Sequence, residues 1–307
     1  MNRPAHASRI AYVIVAFRSA RDLPGCLDAI AADRVEGAEI IVVDNASPDD
    51  SGAVASAHAA RPRVVPSPDN RGFGAGCNLG AAASSADLLL FVNPDARLAP
   101  GATAELLAAA DAEPTVAVFG AAIAGPGGER GAASAGFEPS LRTAAGHFLL
   151  LARIPVVGRL FPPLQLPAGS AERNPDWVSG AALMVRAQAF AAVGGFDASL
   201  FMYMEDVDLC RRLRERGHAV AYVPEARVEH ALGGSQGAEQ AERWYRAFHA
   251  YVRQHRGPIE ARLTSLVAAL GLALRAAVLR RGNRAHSRRL ARAARCAIRL
   301  ALGGPQA

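Results

Sequence analysis

Glu39-Ile-Ile-Val-Val-Asp44-Asn-Ala-Ser-Pro-Asp-Asp50 is the stretch on which the fold turns. Four β-branched residues in a row, without alternation, predict a strand covered on both faces. The run ends at once in an acid and a turn-forming segment, which leaves a carboxylate at the strand's C-terminal end. The same order repeats on either side. Ile10 to Phe17 is another continuous apolar run, followed by a helical pattern from Leu23 to Ala32. Val64-Val65 reads as a short third strand. Asn70-Arg-Gly-Phe-Gly-Ala-Gly-Cys-Asn78 is a glycine-rich loop that leads into an Ala-rich helix. Leu88 to Val92 is a fourth strand ending in Asn93-Pro-Asp95, and a helix over Pro100 to Ala112 precedes a strand over Val116 to Gly120. Strands alternating with helices predict an α/β chain: an open, mostly parallel, Rossmann-like sheet flanked by helices. Ligands of such sheets bind beyond the carboxyl ends of strands, where Asp44 and Asp95 both fall.

The signal weakens from Ala121 to Asn174. Gly125 to Gly136 reads as a loop, and the apolar segments His147 to Leu151 and Val156 to Leu166 fit a flap, an acceptor-binding insert or a membrane-facing hairpin. Trp177 to Arg186 predicts a strand, and Gly194-Gly195-Phe-Asp197 a turn. Phe201-Met-Tyr-Met-Glu-Asp-Val-Asp-Leu-Cys-Arg211 then places Glu205, Asp206 and Asp208 at the start of a helix that Gly217 ends. The helix dipole there favours ionised carboxylates, as a general base or a metal ligand requires; ordinary first-turn acid enrichment gives the same pattern. Ala219 to Val223 is one more buried strand, with Val228-Glu-His230 beyond Pro224, and Gln236 to Gln254 is helical.

The chain has 307 residues, enough for a sizeable core, and its 51% hydrophobic content excludes a disordered class. All 34 basic residues are Arg, which reads as coding bias. From Ala261 to Ala307 there are ten Arg and no acid, whereas the preceding residues are slightly acidic. That asymmetry points to an anionic partner for the tail, a membrane surface or nucleic acid. Leu263 to Leu274 is apolar but short of a bilayer span before Arg275 interrupts it. Arg288, Arg292, Arg295 and Arg299 follow on one helical stripe, which suits either an anionic membrane or solvent. Four scattered cysteines give neither a zinc pattern nor a disulfide framework, so a reducing compartment is expected. The polar start, Met1 to Arg9, followed by a strand pattern, reads as no signal peptide.

Taken in order, Val42-Val-Asp-Asn-Ala-Ser47, Asn70 to Gly80, Phe91-Val-Asn-Pro-Asp-Ala96, Ser179-Gly-Ala-Ala-Leu-Met184, Gly195-Phe-Asp197, Met204 to Leu209 and His230 resemble the family-2 inverting glycosyltransferases of GT-A fold, especially the bacterial rhamnosyltransferase-like branch. The resemblance implies a GT-A domain over residues 1–256. Residues 1–120 would form its nucleotide-sugar half and 121–256 its acceptor and catalytic half, with 257–307 a basic amphipathic helical tail. It implies Asp206 as the catalytic base, with Glu205 in support. Donor contacts would come from Asp44, Asn45, Asn70, Gly72, Asn78, Asn93 and Asp95. Mg²⁺ or Mn²⁺ would sit on Asp95 and His230, with Asn93 replacing the first Asp of the family's D-x-D. Acceptor contacts would involve Asp208, Trp177, Arg243 and Trp244, the last two within Gln240-Ala-Glu-Arg-Trp244. The implied partners are a nucleotide-sugar donor, with dTDP-rhamnose ahead of a UDP-hexose, a glycan or lipid-linked acceptor, and an anionic membrane surface; no nucleic acid is expected. The implied place is cytoplasmic, peripheral on the inner face of the membrane. A non-catalytic nucleotide-sugar-binding protein is the alternative from another class.

Overall fold

The computed structural model describes residues 9–125, 127, 133–167, 170–230, 238–280 and 282–303. Most of the expected polar start, part of the Gly125–Gly136 loop, the first residues of the Gln236–Gln254 helix and the last four residues of the tail lie outside them. By internal contacts the chain forms two compact units, Met1–Ala135 with Pro167–Gly233, and Gly136–Leu166 with Gly234–Ala307.

The first unit is built on eight strands: β1 (Ile10–Ala16), β2 (Glu39–Asp44), β3 (Arg63–Pro66), β4 (Leu88–Val92), β5 (Ala96–Leu98), β6 (Val116–Ala124), β9 (Ala182–Arg186) and β10 (Ala219–His230). Two-residue strands, β7 (Ala135–Gly136) and β8 (Trp177–Val178), fall between β6 and β9. The sheet order is β3-β2-β1-β4-β9-β6-β10-β5. The β3-β2-β1-β4 half is parallel. β9 runs antiparallel to both β4 and β6, so its first residue, Ala182, pairs with the last of β4, Val92. Every residue of β1 and β4 is buried, as continuous apolar runs require. Helices α1 (Leu23–Asp33), α2 (Ser51–Ala57), α3 (Phe73–Ala82) and α4 (Ala102–Ala112) complete the βα units. Packed against this sheet, Leu23, Leu27, Ile30 and Leu106 share one core with Ile10, Tyr12 and Ile14.

One reading needs correction here. Trp177 to Arg186 is not a single strand, because Ser179–Ala181 breaks it between β8 and β9. The break turns the Gly180 N–H to the Asp206 carboxylate instead of a neighbouring strand.

In the second unit, α5 (Leu141–Phe148) is closed at its start by a Ser140–Thr143 capping box, and a 3-10 turn (Leu151–Arg153) leads to α6 (Val157–Leu160). Three long helices follow: α9 (Ala238–Arg256), α10 (Pro258–Leu279) and α11 (Arg284–Ala301). α9 packs on α10 and α11, and Gly257 joins α9 to α10. The buried Phe248, Tyr251 and Val252 of α9 supply the reason for the packing. Arg275 does not interrupt α10, because its guanidinium turns inward to the carbonyls of His147 and Phe148. The 22-residue helix is therefore long and apolar enough, by length and composition alone, to cross a membrane. On α11, Arg288, Arg295 and Arg299 are exposed, and Arg292 pairs with Glu242 on α9.

Candidate active site

Between β9 and β10 the first unit carries α7 (Ala187–Ala192) and α8 (Glu205–Glu215). α8 starts under strain: Tyr203 and Met204 both take left-handed backbone, at φ 69° and 67°. Such strain persists only where surrounding structure holds it, and it clusters at functional sites. Here it sets Glu205 and Asp206 on the first turn.

The three acids meet three fates. Asp208 is buried against Arg212 at 2.7 Å, and Arg212 donates onward to the carbonyls of Val193 and Gly195. It holds the Gly194–Phe196 turn, so its contacts do not support the acceptor role. Glu205 is buried and its Oε2 has no partner. Burial, and then the charge of Asp206, push its carboxyl up to about 8. Asp206 alone is only partly buried. Its Oδ2 accepts from Gly180 N–H at 2.9 Å and its Oδ1 from Val207 N–H at 2.8 Å. Desolvation raises its pKa and these two donors pull it back. Both carboxyls are raised by burial, Glu205 the more strongly, so Asp206 is the first of the two to ionise.

That arrangement sets a pH dependence. The folded chain keeps the Glu205 proton to about 8, whereas an unstrained Glu releases it near 4.5. Between those limits the folded state binds more protons than the unfolded one, so stability falls as pH rises through the window. Glu205→Gln is expected to flatten this fall, by on the order of 5 kcal/mol at the alkaline end. Urea midpoints on either side of the window check it, and equal slopes for the two proteins reject it.

The other expected residues connect to Asp206 through the backbone. Ala181, next to Gly180, accepts from the Asn93 N–H at 3.0 Å. Asn93 and Asp95 follow β4, and His230 ends β10, opposite Ala96 in register. His230 Nε2 lies 2.9 Å from Asp95 Oδ1 and 3.1 Å from Asn93 Nδ2, while its Nδ1 is buried without a partner. On the other side Asp44 ends β2 and accepts from Ser47 N–H at 3.0 Å. Asn45, buried beside it, donates to Asn70 Oδ1 (3.0 Å) and to the Gly72 carbonyl (3.2 Å). Phe73 N–H, one residue on, donates to the Phe201 carbonyl at 3.1 Å, which returns the path to the α8 arm. Asp44 and Asp95 thus lie at the C-terminal ends of two parallel strands, and Asp206 is bonded to Gly180 just before β9, whose first residue pairs with the end of β4.

Asn78 takes no part in these hydrogen bonds. Its amide donates to the Phe196 carbonyl and accepts the Phe196 N–H, both at 2.8 Å, so it braces the turn before α8. Trp177 is buried in β8. Arg243 and Trp244 lie on α9 in the second unit, where Trp244 stacks on Phe248 at 5.2 Å. Gly180, Tyr203 and Met204 were not singled out from sequence, although Gly180 and Met204 lie inside the stretches that carry the resemblance.

Among the described residues no three His, Cys, Asp or Glu side chains cluster as a metal site. Asp95 and His230 nevertheless present a carboxylate oxygen and an imidazole nitrogen to one point. A divalent ion that takes the rest of its shell from substrate phosphates and water needs no more from the protein. The donor set fits. All four cysteines are free and buried.

Residues 12–156 match the family model described as Glycosyl transferase family 2, and residues 162–257 the model Glycosyltransferase like family 2. The chain is 35% identical over 213 residues to the N-acetylglucosaminyl-diphospho-decaprenol L-rhamnosyltransferase of Mycobacterium tuberculosis, which covers 66% of this chain and 69% of that protein. It is 49% identical over 49 residues to Rhamnosyltransferase WbbL of Escherichia coli, 16% of this chain and 19% of that one. Among solved structures, a mannosyltransferase from Pyrobaculum calidifontis in complex with GDP-Man and Mn²⁺ superposes with a TM-score of 0.61 at 15% identity, over 97% of this chain and 87% of its own. At that identity the likeness shows the fold.

Proposed function

The chain belongs to the family-2 glycosyltransferases, and we propose that it transfers L-rhamnose from dTDP-rhamnose, with inversion, to a hydroxyl of a lipid-linked glycan in cell-surface polysaccharide synthesis. One observation carries the site reading: Asp206 is the least buried acid of its triplet, and it is tied through Gly180 and Ala181 to Asn93, beside Asp95 and His230. The choice of sugar and acceptor follows the rhamnosyltransferase relative.

In this reading Asp206 accepts the acceptor hydroxyl's proton as the oxygen attacks the anomeric carbon. Neutral Glu205 keeps the local charge at one, so the base remains a carboxylate. Asp44 accepts a hydrogen bond from the imide N–H of the base, and Asn45 fixes the Asn70–Gly72 loop beside it. Asp95 and His230 would hold a Mg²⁺ or Mn²⁺ ion, which would supply positive charge toward the departing diphosphate. The exposed arginines of α11 draw the protein to an anionic membrane, which places it peripherally on the inner face, where a lipid-linked acceptor is presented.

A thermal-shift panel tests this. At about a hundredfold over Kd, dTDP-rhamnose with Mn²⁺ is expected to stabilise the folded chain by about 2.7 kcal/mol. EDTA, or Asp95→Ala, is expected to remove most of that gain. An equal shift with UDP-glucose overturns the choice of donor, and a shift indifferent to EDTA overturns the metal role.

A further inference from the structure

α10 is inverted relative to an ordinary surface helix. Its packed face is made of Ala261, Thr264, Ser265, Ala268, Gly271 and Ala276, with Leu272 the largest member. Its open face carries Ile259, Leu263, Leu266, Leu270, Leu274 and Val278, between 44% and 81% exposed. A helix built for water alone places Leu inward and Ser outward. Here the polar atoms are inside and satisfied: Thr264 donates to the Glu260 carbonyl at 2.6 Å, and Ser265 pairs with His249 of α9 at 2.8 Å. The open residues recur every three or four positions, so they form one stripe about 29 Å long. Soluble monomers rarely leave such a patch uncovered.

A second exposed apolar segment belongs to the same unit, and the helix before it packs on α10. Gly271 lies where any side chain would run into the Phe148 carbonyl, and Arg275 caps the end of α5. The chain leaves α5 at that point through Leu150, Ile154, Val156 and Leu160, all exposed. Along α10 and α11 beyond Glu260 every charged side chain is an arginine or a histidine, whereas α9 carries Glu239 and Glu242. Arg262 and Arg280 flank the stripe in the open, and no acid occurs after Glu260. Glu260 itself is engaged by the Leu141 N–H at 2.9 Å.

We propose that α10 lies in the plane of an anionic phospholipid surface, its aliphatic stripe entering the acyl region and the Leu150–Leu160 segment entering beside it. The inference rests on the peripheral-membrane reading above and adds an apolar anchor to its electrostatic one. A crossing orientation does not suit α10, because it packs on α5, α9 and α11, whose arginines would be carried into hydrocarbon.

Flotation of the full chain with vesicles of equal parts phosphatidylcholine and phosphatidylglycerol tests the anchor. Leu266→Ser with Leu270→Ser is expected to weaken partitioning about tenfold and to leave the melting temperature unchanged, since both side chains are exposed. Arg288→Gln with Arg295→Gln is expected to reduce the preference for phosphatidylglycerol and its salt sensitivity. If only the Arg pair loses binding, the anchor is overturned and the electrostatic reading stands. If the unaltered chain floats with no vesicle, both are overturned. If the Leu pair dissolves a dimer and still floats, the stripe is a contact between copies and the anchor is overturned.

Discussion

Asp206→Asn is expected to lower the rate of glycosyl transfer about 10²–10⁴-fold, the range over which a positioned general base acts, while donor-induced stabilisation persists. The separation follows from geometry. No hydrogen bond of Asp44, Asn45 or Asn70 named above ends on the Asp206 carboxylate, so losing the proton acceptor leaves them intact. Asn keeps one acceptor oxygen, which serves either Gly180 N–H or Val207 N–H but not both. The stability cost is therefore about one hydrogen bond, roughly 1–2 kcal/mol. The acid limb of the wild-type profile is expected above the ordinary Asp range, because burial holds the Asp206 pKa up. The rate rises with pH as the carboxylate forms, and that limb disappears in the variant. Initial rates across pH, with donor thermal shifts on the same samples, check both halves. Turnover within about threefold of wild type rejects Asp206 as the base.

The contrast between these residues and their neighbours shows what a sequence can disclose. Asp44 and Asp95 were legible because each directly follows an apolar run, and a parallel sheet sends strand ends to one edge. β1, β2 and β4 were legible because burial on both faces leaves no polar residue in the run. The bracing contacts of Asn78 and Asp208 were hidden for the opposite reason. Their partners, the Phe196 peptide and the Arg212 guanidinium with the turn it holds, are fixed only once α3, α7 and α8 pack. A short polar side chain reads the same whether it awaits a ligand or braces a loop. The Ser179–Ala181 break was hidden because apolar residues on both sides continue the strand pattern, and its cause, Asp206, lies 26 residues further on. The packing of α9 was hidden because Tyr245 and Phe248 meet Phe148, about a hundred residues earlier in the chain, in α5.

Gly72→Ala is expected to damage both stability and transfer, although the glycine touches no reacting atom. Gly72 sits at φ 93°, ψ 175°, a region essentially reserved for glycine. A Cβ there would also drive into the Phe201 carbonyl, the atom that accepts from Phe73 N–H and fixes the loop to the arm carrying Tyr203, Met204, Glu205 and Asp206. Strain and clash together are expected to cost about 2–4 kcal/mol. Relief requires the arm or the donor loop to shift, and a displacement near 1 Å lowers transfer roughly 10²-fold. Gly37→Ala separates the two causes: Gly37 is also left-handed, at φ 74°, but a side chain there meets nothing within 4 Å. It should lose only about 1–2 kcal/mol and keep full transfer. Urea midpoints and rates for the two variants decide the matter. Equal losses would mean that backbone strain alone acts at Gly72, and that the Phe201 contact does not set the position of the base.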